Sequence, residues 1–172
     1  MPRTIMPSLA DQIVFSAKQT EERIMEPRSG ILIPTGSTLL NLALSDRKEG
    51  GYDGGKIVNI IGDSSSGKTF LALSCMAEMA YDDQFKKYKL IYDDAEQANE
   101  FNIEYLFGKK LADRIEAPRY GKKEPLHSHT MQDFEANIHR HLAGQEPFIY
   151  ILDSFDSITD EDEIEKVKDN LK

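Results

Sequence analysis

Apolar positions along this chain fall into two kinds of block. Three short continuous runs, at 57–61, 90–92 and 148–152, are rich in Ile, Tyr, Phe and Val and have the length of buried strands. Between them the apolar residues recur at helical spacing. Residues 8–25 read as a helix with Ser8 as N-cap and Leu9, Ile13, Ala17 and Ile24 near one stripe, closed by Pro27 and Gly30. Leu39, Leu40, Leu42, Ala43 and Leu44 predict a short second helix, and 68–81 and 102–111 a third and a fourth. A fifth starts at Thr130, carries Met131, Phe134, Ile138 and Leu142, has Asp133 as a capping signal, and ends before Gly144. The glycine-rich stretch 50–55 and the polar stretch 119–129 read as loops. Strands alternating with helices predict an α/β fold, a mostly parallel sheet with flanking helices, whose ligands sit at the carboxyl ends of the strands.

Chemistry enters directly after the first run. Gly62, Asp63, Ser64, Ser65, Ser66, Gly67, Lys68 and Thr69 form a Walker A loop between a predicted strand and a predicted helix that continues through Phe70. Gly62 and Gly67 allow the backbone to curl into an anion-binding nest at the positive end of the helix. Lys68 can reach the β- and γ-phosphates, and the Thr69 hydroxyl can ligate the magnesium between them. The pattern predicts binding of a nucleoside triphosphate.

The 172 residues, 40% of them hydrophobic, suit a single core. No run reaches the roughly 18 apolar residues that span a bilayer, and the first residues lack the apolar centre of a secretory signal, so a cytoplasmic protein without a membrane partner is expected. Cys75 is the lone cysteine and suits a reducing compartment. A net charge of −9 argues against a surface that binds nucleic acid throughout. Lys109, Lys110, Arg114, Arg119, Lys122 and Lys123 form a basic cluster that is either a solvated face or a local nucleic-acid contact.

Two further acids stand at predicted strand ends. Asp153, after four apolar residues, has the Walker B pattern and could hold magnesium through a water or through Thr69; a turn or cap role is the alternative. Glu96 could activate the water that attacks the γ-phosphate, or could be one solvated acid in a run with Asp93 and Asp94. His127, His129, His139 and His141 have no metal-binding spacing and read as surface residues.

Together these segments resemble the RecA and RadA recombinase family, especially its phage-encoded members. The run 50–69 is similar to the family's leading loop, first strand and phosphate loop in unbroken order; Asp94, Ala95, Glu96 resembles its acidic motif; Leu152, Asp153, Ser154 its Walker B strand; and 34–44 its preceding helix. The resemblance implies a RecA-like P-loop NTPase core over 34–172, incomplete after the Walker B strand, preceded by a helical segment at 1–33. It implies Glu96 and Lys68 as catalytic residues, Glu100 and a nearby aromatic at the adenine, and magnesium on Thr69 and Asp153. Ile103 stands where many relatives carry a tyrosine, so Phe101 or Tyr105 would substitute, and Asp93 stands where relatives carry an apolar residue.

The expected activity is magnesium-dependent ATP hydrolysis in DNA recombination and repair on single-stranded DNA, by a parent protein that assembles into a filament or ring. If the chain is phage-encoded, the compartment is the host cytoplasm. An isolated copy should bind ATP but hydrolyse it weakly. The alternatives are a replicative-helicase-type or circadian-type ATPase of the same core, and a non-catalytic nucleotide-dependent assembly module.

Overall fold

A computed structural model describes residues 30–122 and 124–160. The helix expected at 8–25 lies outside the described residues. The chain divides into two compact units, Met1–Ile61 and Gly62–Lys172.

In the first unit, β1 (Leu32–Ile33) pairs antiparallel with β2 (Tyr52–Asp53), and α1 (Thr38–Ser45) lies between them in sequence. The side chain of Ser37 caps α1 by accepting from the Leu40 amide. Buried Asn41 ties the unit together. Its Oδ1 accepts from the amide and hydroxyl of Thr35 at 2.9 and 2.7 Å, and its Nδ2 donates to the Lys48 carbonyl at 2.9 Å. The glycine loop is tight for a visible reason, since a Cβ on Gly50 would lie 2.8 Å from the Ile33 backbone.

One expected element is absent. The run 57–61 forms no strand, and Ile57 and Ile61 are exposed. A strand exists only through ladder hydrogen bonds to a neighbour, and this run has none among the described residues, so its apolar content alone did not decide its state.

The second unit holds a parallel three-stranded sheet in the order β4 (Ile115–Glu116), β3 (Lys89–Asp94), β7 (Phe148–Asp153). Central β3 buries Leu90, Ile91 and Tyr92. The residues of β7 are half-buried rather than enclosed on both faces as its apolar run suggests, because this strand is at the edge of the sheet among the described residues. Helix α2 (Lys68–Tyr81) buries Leu73, Met76 and Met79, and burial pushes the Cys75 thiol up to about 12, with Glu78 adding to the effect. The end of α2 is held by Arg114. Its guanidinium donates to the carbonyls of Met79 and Ala80, orphan acceptors of the last turn, and to those of Phe85 and Tyr88 beyond it.

The helix expected over 102–111 is two pieces, α3 (Ile103–Phe107) and α4 (Lys109–Ala112), broken where Gly108 takes φ 87°. A Cβ there would also run into the Tyr81 hydroxyl. Gly108→Ala should therefore cost about 1–3 kcal/mol and lower Tm by several degrees in a thermal melt. The stretch 119–129, read as loop, contains a hairpin of β5 (Arg119–Gly121) and β6 (Glu124–Leu126). Helix α5 (Met131–Ala143) begins as expected, with Thr130 accepting from the Asp133 amide at 3.0 Å.

Candidate functional site

The phosphate-loop residues and the two candidate acids all belong to the second unit. In the loop, Ser65 and Gly67 take φ of 61° and 91°, and Ser66 donates its amide to the Asp63 carbonyl at 3.2 Å. A Cβ on Gly62 would lie 2.7 Å from Ser66 Oγ, so a larger residue there would force the Ser66 hydroxyl to turn away. Lys68 Nζ donates to the carbonyls of Gly62 and Asp63, each at 2.8 Å, so the ammonium closes over the loop's own start. Thr69 follows on the first turn of α2, and Asp63, Ser64 and Ser65 line the exposed rim.

At the carboxyl ends of β3 and β7, Asp94 and Asp153 are register partners. Glu96 lies just beyond. Its amide donates to the Asp153 carbonyl at 3.3 Å, and Ser154 Oγ donates to Glu96 Oε1 at 2.5 Å. Asp153 Oδ2 accepts from the Tyr92 hydroxyl at 2.8 Å. Burial, and then that bond to Asp153, push the Tyr92 phenol upward, so it stays a donor.

Phe70 joins the phosphate-loop helix to the turn that follows Glu96. Its ring packs edge-on against Phe101 at 6.2 Å and tilted against Phe107 at 5.2 Å. Glu100, beside Phe101, is exposed, while Tyr105 projects with 85% of its surface accessible.

A polar network that the sequence signalled only through the unusual Asp93 lies beneath this edge. Asp93 is fully buried and accepts from the Ser128 amide at 2.8 Å, the Ser128 hydroxyl at 2.6 Å and the Tyr150 hydroxyl at 2.5 Å. Asn137 Nδ2 donates to Ser128 Oγ at 3.0 Å, and Arg140 donates to Asn137 Oδ1 at 3.0 Å. Burial works to raise the Asp93 carboxyl, but the Ser128 hydroxyl, the Tyr150 hydroxyl and the Ser128 amide donate to it and hold the group below its ordinary 3.8.

The histidines differ from their expected surface role in two cases. His127 is half-buried with Nδ1 accepting from the Asp94 amide at 3.0 Å, and His141 packs on Phe148 and Tyr150 with Nε2 3.0 Å from the Pro118 carbonyl. No cluster of three or more His, Cys, Asp or Glu suited to a metal occurs among the described residues. The basic cluster is largely occupied by the fold. Lys109 pairs with Asp113 and Arg119 with Asp133, each at 2.7 Å, Lys110 lies over the Tyr81 ring, and Arg114 is spent on carbonyls.

The sequence matches the RecA N-terminal domain family over residues 20–140, more than half of the chain. The chain belongs to this family. Among curated proteins, Protein RecA of Bacillus licheniformis is 34% identical over 104 residues, covering 60% of this chain and 25% of that protein. Protein RecA of Ehrlichia ruminantium is 40% identical over 79 residues, 46% of this chain and 19% of that protein. Protein RecA of Bacteroides thetaiotaomicron is 53% identical over 47 residues, 27% of this chain and 13% of that protein. The matched part thus spans a quarter or less of these RecA relatives. No solved structure is a significant match. The three-stranded parallel sheet with flanking helices is consistent with a partial RecA-like core. No described helix is long and apolar enough to cross a membrane.

Proposed function

We propose that this chain is the nucleotide-binding part, 34–172, of a cytoplasmic RecA-type ATPase, which binds ATP with magnesium and hydrolyses it in recombination and repair on single-stranded DNA. The observation that carries the reading is the pairing of Glu96 with Asp153 at the carboxyl ends of adjacent parallel strands, joined through Ser154. The RecA relatives favour this role over a helicase-type or circadian-type ATPase.

In this reading Gly62, Asp63, Ser64, Ser65, Ser66 and Gly67 wrap the phosphates, and Lys68 exchanges its two carbonyl partners for phosphate oxygens. The hydroxyl of Thr69 and the carboxylate of Asp153 are hard oxygen donors, a set that fits magnesium. Tyr92 holds Oδ2 of Asp153 and so fixes the carboxylate that would help to hold the magnesium. Magnesium there would neutralise charge on the phosphates. Glu96 orients and deprotonates the attacking water, and Phe101, braced by Phe70, is the aromatic beside the base, with Glu100 next to it. The parent protein assembles into a filament or ring, and DNA contact falls to its other parts, since Lys109, Arg114 and Arg119 of this chain's basic cluster are engaged internally.

Titrating the chain with a fluorescent ATP analogue in magnesium buffer tests the reading. Saturable binding is expected, weakened roughly tenfold or more by Lys68→Ala, the loss of one charge-assisted contact. A wild-type chain that does not bind would overturn it.

A further inference from the structure

We propose that His127 is a positioning residue for Glu96, an inference that rests on the ATPase reading above. The turn bearing Glu96 is organised around Asp94. The Asp94 carbonyl accepts from the Gln97 amide at 3.0 Å, and its carboxylate accepts from the Ala98 and Asn99 amides at 3.3 and 3.2 Å. Those bonds are local to the turn, and they fix its shape without fixing where it points. At the end of β7 the turn is tied through the Glu96 amide to the Asp153 carbonyl and through Ser154 Oγ to Glu96 Oε1, and a separate tie from outside is the ring of His127, whose Nδ1 accepts the Asp94 N–H at 3.0 Å. Strand β4 cannot supply it, because β4 pairs with β3 only at Leu90 and Ile91.

His127 is itself held firmly. The adjacent Ser128 gives both its amide and its hydroxyl to buried Asp93, and the His129 carbonyl accepts from the Thr159 amide at 3.2 Å. A second contact comes from the same loop, with His129 Nε2 3.4 Å from Nε2 of Gln97, a residue at φ 51°. The loop 127–129 therefore acts as a brace between the Asp93 network and the turn that carries Glu96. Accepting the Asp94 amide requires Nδ1 to be without a proton, so the ring proton sits on Nε2. A proton on Nδ1 would face the Asp94 N–H and turn instead toward Asp93 Oδ1, 3.5 Å away. The brace works through the acceptor alone, and any side chain that places an acceptor at Nδ1 should replace it.

Two substitutions separate positioning from simple packing. His127→Leu removes the acceptor, whereas His127→Asn can offer Oδ1 near the place of Nδ1. In the assembled ATPase, His127→Leu is expected to lower kcat roughly tenfold to a hundredfold with KM for ATP unchanged, and His127→Asn to recover most of it. Glu96→Gln run beside them keeps the two readings apart. Loss of hydrolysis in Glu96→Gln with a normal kcat in His127→Leu overturns the positioning role alone, while an unchanged rate in Glu96→Gln overturns the catalytic reading beneath it. Parallel losses of kcat and ATP binding in both His127 variants would also overturn positioning. Amide exchange in the isolated chain gives a readout independent of turnover. Exchange at Asp94 and Gln97 should quicken at least about tenfold in His127→Leu and return in His127→Asn, with Ile91 unaffected. Equal exchange in wild type and His127→Leu overturns the proposal.

Discussion

Glu96→Gln in the assembled ATPase is expected to slow ATP hydrolysis by roughly 10²–10⁴-fold, the usual range for a positioned general base, while ATP binding stays intact. Gln has the shape of Glu and keeps an oxygen for the Ser154 hydroxyl, and the backbone bond from residue 96 to the Asp153 carbonyl does not depend on the side chain. Geometry is thus preserved while the basic oxygen is lost. Single-turnover phosphate release measured beside nucleotide affinity separates the two effects. A rate equal to wild type would remove Glu96 from the chemistry.

The largest effect on stability is expected at Asp93. Asp93→Leu leaves the Ser128 amide, the Ser128 hydroxyl and the Tyr150 hydroxyl facing an apolar group, at about 1–3 kcal/mol for each stranded donor, so a loss of at least about 3 kcal/mol should be read in urea unfolding. Tyr150 cannot escape by ionising, since burial, which the substitution leaves in place, pushes its phenol upward. The same network sets an acid limit. Because the native carboxyl titrates below its unfolded value of 3.8, its contribution is fully present above about pH 4 and is lost as pH falls through the lowered native pKa. Asp93→Asn should flatten that acid limb of stability against pH, and an unaltered limb would show that other carboxylates govern it.

Much of the second unit was legible from local pattern. Helix α2 spans the 68–81 expected, and Thr130 caps α5 as its hydroxyl and the spacing to Asp133 suggested, because caps and helical stripes are short-range features. Both later strands fell on their apolar runs. The run 57–61 did not become a strand, since pairing is a tertiary event that composition cannot report. The hairpin at 119–126 was hidden because its strands are short and polar, and Gly108 split a helix through a backbone angle invisible in an otherwise periodic segment. At the candidate site, spacing put Asp153 at the end of its strand and Glu96 near the end of the one before, as the structure has them, whereas the role expected of Glu96 came from the family resemblance. Ser154, Tyr92 and His127 were not legible, because each acts through a partner more than thirty residues away.

The unequal reach of β3's two pairings bears on the order of folding. Leu90 meets Ile115 in β4 and Ile149 in β7, so closing the second contact spans more than twice the chain of the first and carries the higher loop-closure entropy. Arg114, which gathers carbonyls from the end of α2 through Tyr88, lies within the shorter loop. During synthesis the α2–β3–β4 portion can therefore assemble as an early nucleus, and the strand bearing Asp153 joins a template already formed.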